Sequence, residues 1–266
     1  MNDFDLVPSE TSLFLAMEAI VPMRGEAKES AEMISQLVFG EGCTRIEEQG
    51  SWSKVKSLLD GYEGWVDTKM LAPIPQDDSD SLQNWIRVQT GKLILEDGSE
   101  LVLPLGARIP ASRSTPVSRF SLGGYQWKFH GDPVMIPEAL TPQILVERAK
   151  WFRNVPYVWG GKTGFGIDCS GFMQTLFAMC GIDVPRDSSQ QALVGTTIAY
   201  GEHRAGDVAF FAKPGKTRVS HVGLLISSDQ IIHASGKVRI DSFTETGIIH
   251  TDNDETTHIL LNIQRW

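Results

Sequence analysis

In the first half of the chain, short apolar runs alternate with glycine, a pattern that predicts β-strands rather than helices. Between Ala19 and Ile74 the runs include Gln36–Phe39 and Trp52–Val55, and glycines at 40, 42, 50, 61 and 64 interrupt them. Strands this short and closely spaced favour a small barrel. We expect a first barrel domain over residues 17–75, preceded by a leader over 1–16 that packs against a neighbour or stays partly mobile.

A second β segment follows the stretch 73–80, whose proline and acidic residues predict a domain boundary. Its apolar runs are Trp85–Val88, Lys92–Leu95 and Glu100–Leu103, with a turn at Asp97-Gly98. Gly131-Asp132-Pro133 closes the segment. We expect a second barrel domain over residues 81–137.

Beyond Leu140 the pattern changes to helices followed by strands. Thr141-Pro142 is a helix start, and the apolar face that follows consists of Ile144, Leu145, Ala149 and Phe152. A glycine-rich loop leads to a second helix whose apolar positions are Phe172, Leu176, Phe177 and Cys180. The segment from Asp187 to Leu193 is polar and predicted to be helical, and the later apolar runs predict strands over 207–211, 221–226, 231–234 and 258–263. Helices followed by antiparallel strands predict an α+β domain over 138–266.

Composition narrows the class of protein. A net charge of −9 and a pI near 5.2 argue against nucleic-acid binding, which needs a basic face. No apolar stretch reaches the length of a membrane span, and the acidic N-terminus does not resemble an export signal. The cysteines, Cys43, Cys169 and Cys180, cannot form a fully paired disulfide set. We therefore expect a cytoplasmic protein without membrane or nucleic-acid partners.

Cys169 is the candidate nucleophile. It follows Asp168, a helix N-cap residue, and Gly181 provides the end of the same helix. At a helix start, unsatisfied N–H groups and the positive end of the dipole favour a thiolate, which is the reactive form. The alternative is a small buried residue at a helix start.

His221 and His233 supply a candidate base and a residue to orient it. They flank a predicted turn over 227–230, and the midpoint between them is residue 227, so we expect them nearly opposite each other on one face of a hairpin. An imidazole that takes the thiol proton, oriented by a second polar side chain, is what an activated cysteine requires. The alternative for each is a structural strand histidine.

The remaining motifs give weaker evidence about function. Gly160-Gly161-Lys162-Thr163 lacks the upstream glycine of a phosphate-binding loop, because position 156 is proline. Metal-ligand and serine-hydrolase motifs are absent from the sequence, so we expect neither a metal site nor a cofactor. On spacing alone, Asp187 is a cap or surface charge and Tyr62 a half-buried barrel aromatic.

Taken together, the motifs of the last domain resemble the NlpC/P60 family of cysteine peptidases. They occur in order as Tyr157-Val158-Trp159-Gly160-Gly161, Asp168-Cys169-Ser170-Gly171-Phe172, Pro185-Arg186-Asp187-Ser188-Ser189-Gln190, Gly206-Asp207-Val208, Ser220-His221-Val222-Gly223 and Ile232-His233-Ala234. The resemblance implies a papain-like fold and bacterial cell-wall peptides as substrates. It makes Cys169 the nucleophile, His221 the general base and His233 its orienting residue.

The preceding segments resemble bacterial SH3-type domains, through Gly61-Tyr62-Glu63-Gly64-Trp65-Val66 in the first. Two such domains before the peptidase resemble a narrower group, the γ-D-glutamyl-L-diamino acid endopeptidases of peptidoglycan recycling. That group cuts free murein peptides with an unblocked N-terminal L-alanine. The resemblance implies that Asp187 and Tyr62 hold the free amine and that Ser170 lines the same pocket. Glu26 and Trp159 are further substrate-binding candidates.

The sequence therefore predicts a monomeric cytoplasmic cysteine peptidase that acts on murein-derived peptides. Because it lies at a helix start, the Cys169 backbone N–H is a candidate oxyanion donor. One alternative is an exported endopeptidase that cleaves intact wall and uses its SH3-type domains as anchors. A second alternative is a catalytically inactive binding module.

Overall fold

The structure, a computed structural model, describes residues 13–74, 85–112, 115–116 and 118–266. These residues form two compact units. One holds the described residues up to Pro133 except Pro104–Gly106, and the other holds Pro104–Gly106 with Val134–Trp266. Of the predicted boundary over 73–80, the part from 75 onward lies outside the described residues, as does the predicted leader up to residue 12.

The first unit begins with a β-sheet in which alternate side chains are buried. Its strand order is β3-β2-β6-β5-β4-β1-β7, and a 3₁₀ turn, Thr68–Met70, precedes the last strand. The strands are β1 (Leu13–Ala16), β2 (Ile20–Arg24), β3 (Met33–Val38), β4 (Gly42–Gln49), β5 (Trp52–Ser57), β6 (Glu63–Asp67) and β7 (Leu71–Ile74). Strand β1 lies before the expected domain start at residue 17, and it pairs with β4 and β7 because its apolar side chains complete this core.

A second sheet in the same unit is built from the expected later segment. Its order is β11-β10-β8-β13-β12, with β9 paired to β8. The strands are β8 (Trp85–Ile94), β9 (Glu100–Leu103), β10 (Arg108–Ser112), β11 (Thr115–Pro116), β12 (Arg119–Leu122) and β13 (Tyr125–Val134). The first unit is therefore all-β, as the glycine-punctuated pattern predicts.

Phe39 joins the two sheets. It follows β3, is fully buried, and packs in the core of the second sheet with its ring 5.7 Å from that of Trp127. The Arg108 N–H donates to its carbonyl at 2.8 Å. Gly40 has a φ of 78°, and a Cβ there would lie 2.3 Å from the Arg108 carbonyl oxygen, so only glycine permits this approach.

The two longer helices of the second unit each start after a residue whose side chain caps the helix. Helix α1 (Pro142–Lys150) is capped by Thr141, whose hydroxyl accepts from the Ile144 N–H at 3.3 Å. Helix α2 (Cys169–Met179) is buried over its whole length, and α3 (Ser188–Gln191) is a single short turn. None of the helices in the described part of the chain is both long and apolar enough to cross a membrane.

The sheet of the second unit closes on itself. Its order is β16-β22-β17-β18-β19-β20-β21, and β21 also pairs with β22. A separate hairpin joins β14 (Lys162–Thr163) to β15 (Gly166–Ile167). The closed sheet consists of β16 (Thr196–Ile198), β17 (Val208–Ala212), β18 (His221–Leu225), β19 (Gln230–Ser235), β20 (Lys237–Thr244), β21 (Gly247–Ile249) and β22 (Thr256–Arg265). The α+β prediction is confirmed, although the sequence did not indicate β16, β20 or β21.

Helix α2 packs against β18 and β19 at the centre of this unit. The side chains of Phe172, Leu176 and Phe177 are fully buried, as the helical spacing predicts. Cys169 is at the N-terminal end of the helix and therefore faces the two strands that carry the histidines.

We predict that Phe39→Ala lowers the free energy of unfolding by about 3–5 kcal/mol, because it leaves a cavity in the second sheet's core. Urea unfolding followed by tryptophan fluorescence measures this. Leu58→Ala, at a leucine that is 51% exposed, is the matched control and should change stability by less than about 0.5 kcal/mol. Equal effects of the two substitutions would contradict the assignment.

Candidate active site

Asp168 shapes the loop and the helix start that present Cys169. Its Oδ1 accepts from the Gly171 N–H at 2.7 Å, and its Oδ2 accepts from the Gly160 N–H at 2.9 Å. Gly160 has a φ of 77°, a conformation that glycine tolerates best. A Cβ on Gly171 would lie 2.2 Å from the Gly161 carbonyl oxygen, so the loop and helix approach as closely as they do only with glycine there. The predicted N-cap is confirmed.

Arg186 neutralises this buried carboxylate. Its Nη2 is 2.5 Å from Asp168 Oδ2, and its Nη1 donates to Asp168 Oδ1 at 3.1 Å and to the Ser170 hydroxyl at 2.9 Å. Both charged side chains are almost fully buried, and buried charges require such pairing. Gln191 also binds the first turn of α2, because its side-chain amide donates to the Ser170 carbonyl at 3.0 Å.

The Cys169 sulfur is buried beside β18, in surroundings that favour the thiol. Backbone N–H groups of Val222 and Ser170 stabilise the sulfur. Burial, and then the negative charge of Asp168, raise the pKa of the thiol to about 12, against the opposing effect of Arg186. Desolvation thus opposes the stabilisation of a thiolate that the helix start predicts.

His221 and His233 meet across the β18–β19 hairpin. His221 Nε2 lies 2.8 Å from His233 Nδ1, and both rings are buried. The residue opposite His233 is Gly223, so the two histidines are diagonal neighbours rather than nearly opposite, and the turn is centred one residue later than expected. A Cβ on Gly223 would lie 2.8 Å from the Cβ of His233, so glycine makes room for that ring.

Burial holds both imidazoles neutral. Burial lowers the pKa of His221 well below its usual value, and the repulsion that a protonated His221 would meet from a protonated His233 or His258 adds to the effect. Burial also lowers the pKa of His233, although the neighbouring Asp241 opposes it. A neutral imidazole can accept a thiol proton, so the pair is able to work as base and orienting group.

Asp241 and Arg239 extend this line behind His233. Asp241 Oδ2 is 2.9 Å from His233 Nε2, and Arg239 holds the carboxylate with Nε at 2.7 Å and Nη2 at 2.8 Å. Burial disfavours the charge on Asp241, but hydrogen bonds from His233, Arg239 and Thr251 outweigh it and hold the pKa well below its usual range. The sequence prediction missed both residues. The signal that could have found them is the alternation of apolar and charged residues over Val238–Asp241, which places the base and the acid on one face of a strand.

His258 is a second residue that sequence reasoning did not single out. Its ring stacks on that of His221 with centroids 4.0 Å apart and an interplanar angle of 26°. Burial, and then repulsion from His233 when that residue is protonated, lower its pKa to about 4. His258 therefore covers one face of the His221 ring with an uncharged side chain, contributed by the distant strand β22.

Tyr157 stands close to the sulfur. Burial raises the pKa of its phenol, and electrostatic repulsion from Asp168, and from Cys169 when that thiol ionises, adds to the rise. The backbone of Tyr157 is fixed by a 2.9 Å hydrogen bond from its N–H to the Gly236 carbonyl. The sequence motif includes Tyr157, but no role was predicted for it.

The predicted substrate-binding residues of the second unit differ in their surroundings. Trp159 is 62% exposed beside the glycine loop. Ser170 is buried, and its hydroxyl is held between Arg186 and Asp168. Asp187 occupies the N-cap position of α3, without a side-chain cap hydrogen bond. The residues on either side of it in the chain, Arg186 and Gln191, both bond to Ser170 in the first turn of α2.

Tyr62 and Glu26 belong to the first unit. Tyr62 packs partly buried against the core of the first sheet, and its N–H donates to Asp60 at 3.0 Å. Glu26 is exposed and pairs with Lys28 at 2.6 Å. Contact of either residue with the substrate stays a prediction, as do the predicted substrate roles of Ser170, Asp187 and Trp159.

Comparison with known proteins identifies the family. The NlpC/P60 family pattern matches residues 154–253, and the bacterial dipeptidyl-peptidase SH3 domain pattern matches residues 23–71. The γ-D-glutamyl-L-lysine dipeptidyl-peptidase of Bacillus subtilis is 32% identical over 230 residues, which cover 80% of this chain and 76% of that protein. The chain belongs to the NlpC/P60 family. It is a cysteine peptidase, as predicted.

Further NlpC/P60 relatives agree with this. The γ-D-glutamyl-L-lysine dipeptidyl-peptidase of Bacillus cereus is 29% identical over 75% of this chain and 66% of that protein. The crystal structure of an NlpC/P60 family protein from Bacillus cereus superposes with a TM-score of 0.78 and 23% identity, over 96% of this chain and 99% of that chain. The predicted fold class, with an SH3-like domain before a papain-like NlpC/P60 domain, is confirmed. That the second β segment is also SH3-like stays a prediction.

We predict that alkylation of Cys169 by iodoacetamide accelerates nearly tenfold per pH unit between about pH 6 and pH 9. The thiol pKa is about 12, and only the thiolate reacts, so its population rises with pH throughout this range. Mass spectrometry of the Cys169 peptide measures the rate, with free cysteine as the reference thiol. A rate that is already constant at about pH 6 would mean that a thiolate–imidazolium pair exists in the resting protein, contrary to the assignment.

Proposed function

We propose that this NlpC/P60 peptidase cleaves the bond between γ-D-glutamate and the diamino acid in cell-wall-derived peptides with a free N-terminal L-alanine. The observation that carries the proposal is the 2.8 Å contact between the buried imidazoles of His221 and His233. They lie on the two strands that pack against α2, the helix that Cys169 begins. Similarity to γ-D-glutamyl-L-lysine dipeptidyl-peptidases over most of the chain supports the substrate class.

In the proposed reaction, Cys169 attacks the γ-carbonyl carbon of D-glutamate. His221 takes the thiol proton as the sulfur–carbon bond forms, so charge appears only when substrate is present. The imidazolium then gives that proton to the leaving amine of the diamino acid, and a thioester remains. Water, deprotonated by His221, hydrolyses the thioester and restores the thiol. The Cys169 backbone N–H is the proposed oxyanion donor.

The free amine of the substrate is the proposed specificity element. A protonated amine is stabilised by the carboxylate of Asp187. Arg186 and Gln191, which bind the first turn of α2 on either side of Asp187, support an amine site close to the nucleophile. An acylated amine carries no charge and leaves the carboxylate without its partner, which disfavours binding.

A role in murein peptide recycling in the cytoplasm is part of this proposal. Such a role requires the enzyme to act on released peptides and not on intact wall. The cysteines of the chain are unpaired and buried, which supports a reducing compartment.

Cys169→Ala should lower kcat/KM at least about a thousandfold, because it removes the proposed nucleophile. Hydrolysis of L-Ala-γ-D-Glu-diaminopimelate, followed by mass spectrometry, measures the change. Cys180→Ala makes the same substitution at the other end of α2 and should retain activity. Undiminished hydrolysis by Cys169→Ala would overturn the proposed mechanism.

Asp187→Asn should lower kcat/KM for the free peptide roughly tenfold to a hundredfold. This factor corresponds to the free energy of a hydrogen bond to a charged group. On wild-type enzyme, N-acetylation of the peptide should have at least that effect. On the Asp187→Asn variant, N-acetylation should have a smaller effect, because the carboxylate that recognises charge is gone.

Asp183→Asn, at an exposed acid four residues earlier, is the matched control and should leave kcat/KM unchanged. Equal cleavage of the free and acetylated peptides by wild-type enzyme would eliminate amine recognition. Rapid clearing of purified sacculi would favour an exported wall endopeptidase.

A further inference from the structure

The hydrogen bonds that run from His221 through His233 end at the carboxylate of Asp241, and each of its two oxygens accepts two hydrogen bonds. Asp241 has no exposed side-chain surface. Its Oδ2 accepts hydrogen bonds from His233 Nε2 at 2.9 Å and from Arg239 Nε at 2.7 Å. Its Oδ1 accepts hydrogen bonds from Arg239 Nη2 at 2.8 Å and from the Thr251 N–H at 3.0 Å.

These contacts determine where the protons lie. An ionised carboxylate only accepts hydrogen bonds, and the donors around Asp241 keep its pKa low. His233 must therefore carry its proton on Nε2. Because His233 is neutral, its Nδ1 is an acceptor, and the proton in the 2.8 Å contact must come from Nε2 of His221.

We propose that Asp241 is a positioning residue that sets the tautomers of His233 and His221 and so leaves Nδ1 of His221 as the nitrogen that takes the Cys169 proton. The inference rests on the proposed function of these residues. Asp241 touches neither the sulfur nor the attacked carbonyl in this scheme, and it acts only through His233.

Among the described residues, His258 and Arg239 do not compete with the Cys169 thiol for Nδ1 of His221. His258 meets His221 face to face, with an interplanar angle of 26°, so it presents its ring plane rather than a hydrogen-bonding atom. Its own Nδ1 lies 2.8 Å from the Thr257 hydroxyl. Arg239 is held on its outer side by Asp252 at 3.1 Å, which keeps the guanidinium directed at Asp241.

Asp241→Asn should reverse the direction of the hydrogen bonds that link residue 241, His233 and His221. The amide oxygen remains where Arg239 Nη2 and the Thr251 N–H converge, so the amide NH₂ group points at His233 Nε2. His233 then accepts on Nε2 and carries its proton on Nδ1. His221 Nε2 becomes an acceptor, and its proton moves to Nδ1, the nitrogen that the reaction needs empty. The corresponding change in serine peptidases lowers kcat about ten-thousandfold through the wrong tautomer.

Asp207→Asn is the matched control. Asp207 is a buried acid that holds Arg265 through Nε at 2.7 Å and Nη2 at 2.8 Å, and it also accepts a backbone N–H, that of Arg204, at 2.9 Å. It therefore reproduces the carboxylate–guanidinium arrangement of Asp241 with a different partner in place of the histidine. Any loss caused only by weakening such a pair should appear equally in both variants.

The test is a long-range ¹H–¹⁵N correlation spectrum of ¹⁵N-histidine-labelled protein at about pH 7.5, with assignments from His221→Ala and His233→Ala. We expect Nε2–H tautomers of both residues in wild type and in Asp207→Asn, and Nδ1–H tautomers in Asp241→Asn. On the free peptide, kcat of Asp241→Asn should fall at least a hundredfold, with KM changed less than threefold, by analogy with the serine peptidase triad.

An Nδ1–H tautomer of His221 in wild type would overturn the inference without any variant. Unchanged tautomers in Asp241→Asn would overturn it as well. The spectra require no turnover. Failure of wild type to cleave the peptide would therefore refute the proposed function, while the tautomer spectra still judge the role of Asp241.

Discussion

The buried ion pair between Asp168 and Arg186 is the constraint on which the catalytic end of the second unit depends. One carboxylate caps α2, closes the glycine loop through Gly160 and fixes Arg186. Arg186 in turn holds Ser170 and determines where the chain continues to Asp187. Since neither charge is exposed to water, loss of one partner would leave the other uncompensated. The glycine loop, the start of α2 and the proposed amine site therefore all depend on this one ion pair.

The same burial determines the chemistry of the resting site. The thiol of Cys169 and the rings of His221, His233 and His258 all lie in surroundings that disfavour charge. The ionised groups, Asp168 and Asp241, are each matched by an arginine. Proton transfer from sulfur to imidazole is then unfavourable until substrate supplies compensating charge and excludes water. Such a site couples nucleophile activation to binding.

How far the sequence predicts this site depends on how local the determinants are. Cys169, its capping Asp168 and the helix that follows are contiguous, and His221 and His233 flank one turn, so short-range patterns predict all of them. Asp241 and His258 come from strands that meet the hairpin only in the closed sheet, and β20 has no strong local signal. The rise in the pKa of the Cys169 thiol could not be predicted for a related reason, because helix-start stabilisation is local whereas desolvation depends on everything packed around the sulfur.

Strand β22 pairs with β16, β17 and β21 and also carries His258. During synthesis on the ribosome, Cys169, His221, His233 and Asp241 are all made before residues 256–265. Until that strand arrives, β17 and β21 each lack a neighbour, and the face of His221 that His258 covers is open. The nascent chain thus holds every reacting group before it can assemble the site, and a competent peptidase cannot form until the last strand of the sheet has been translated.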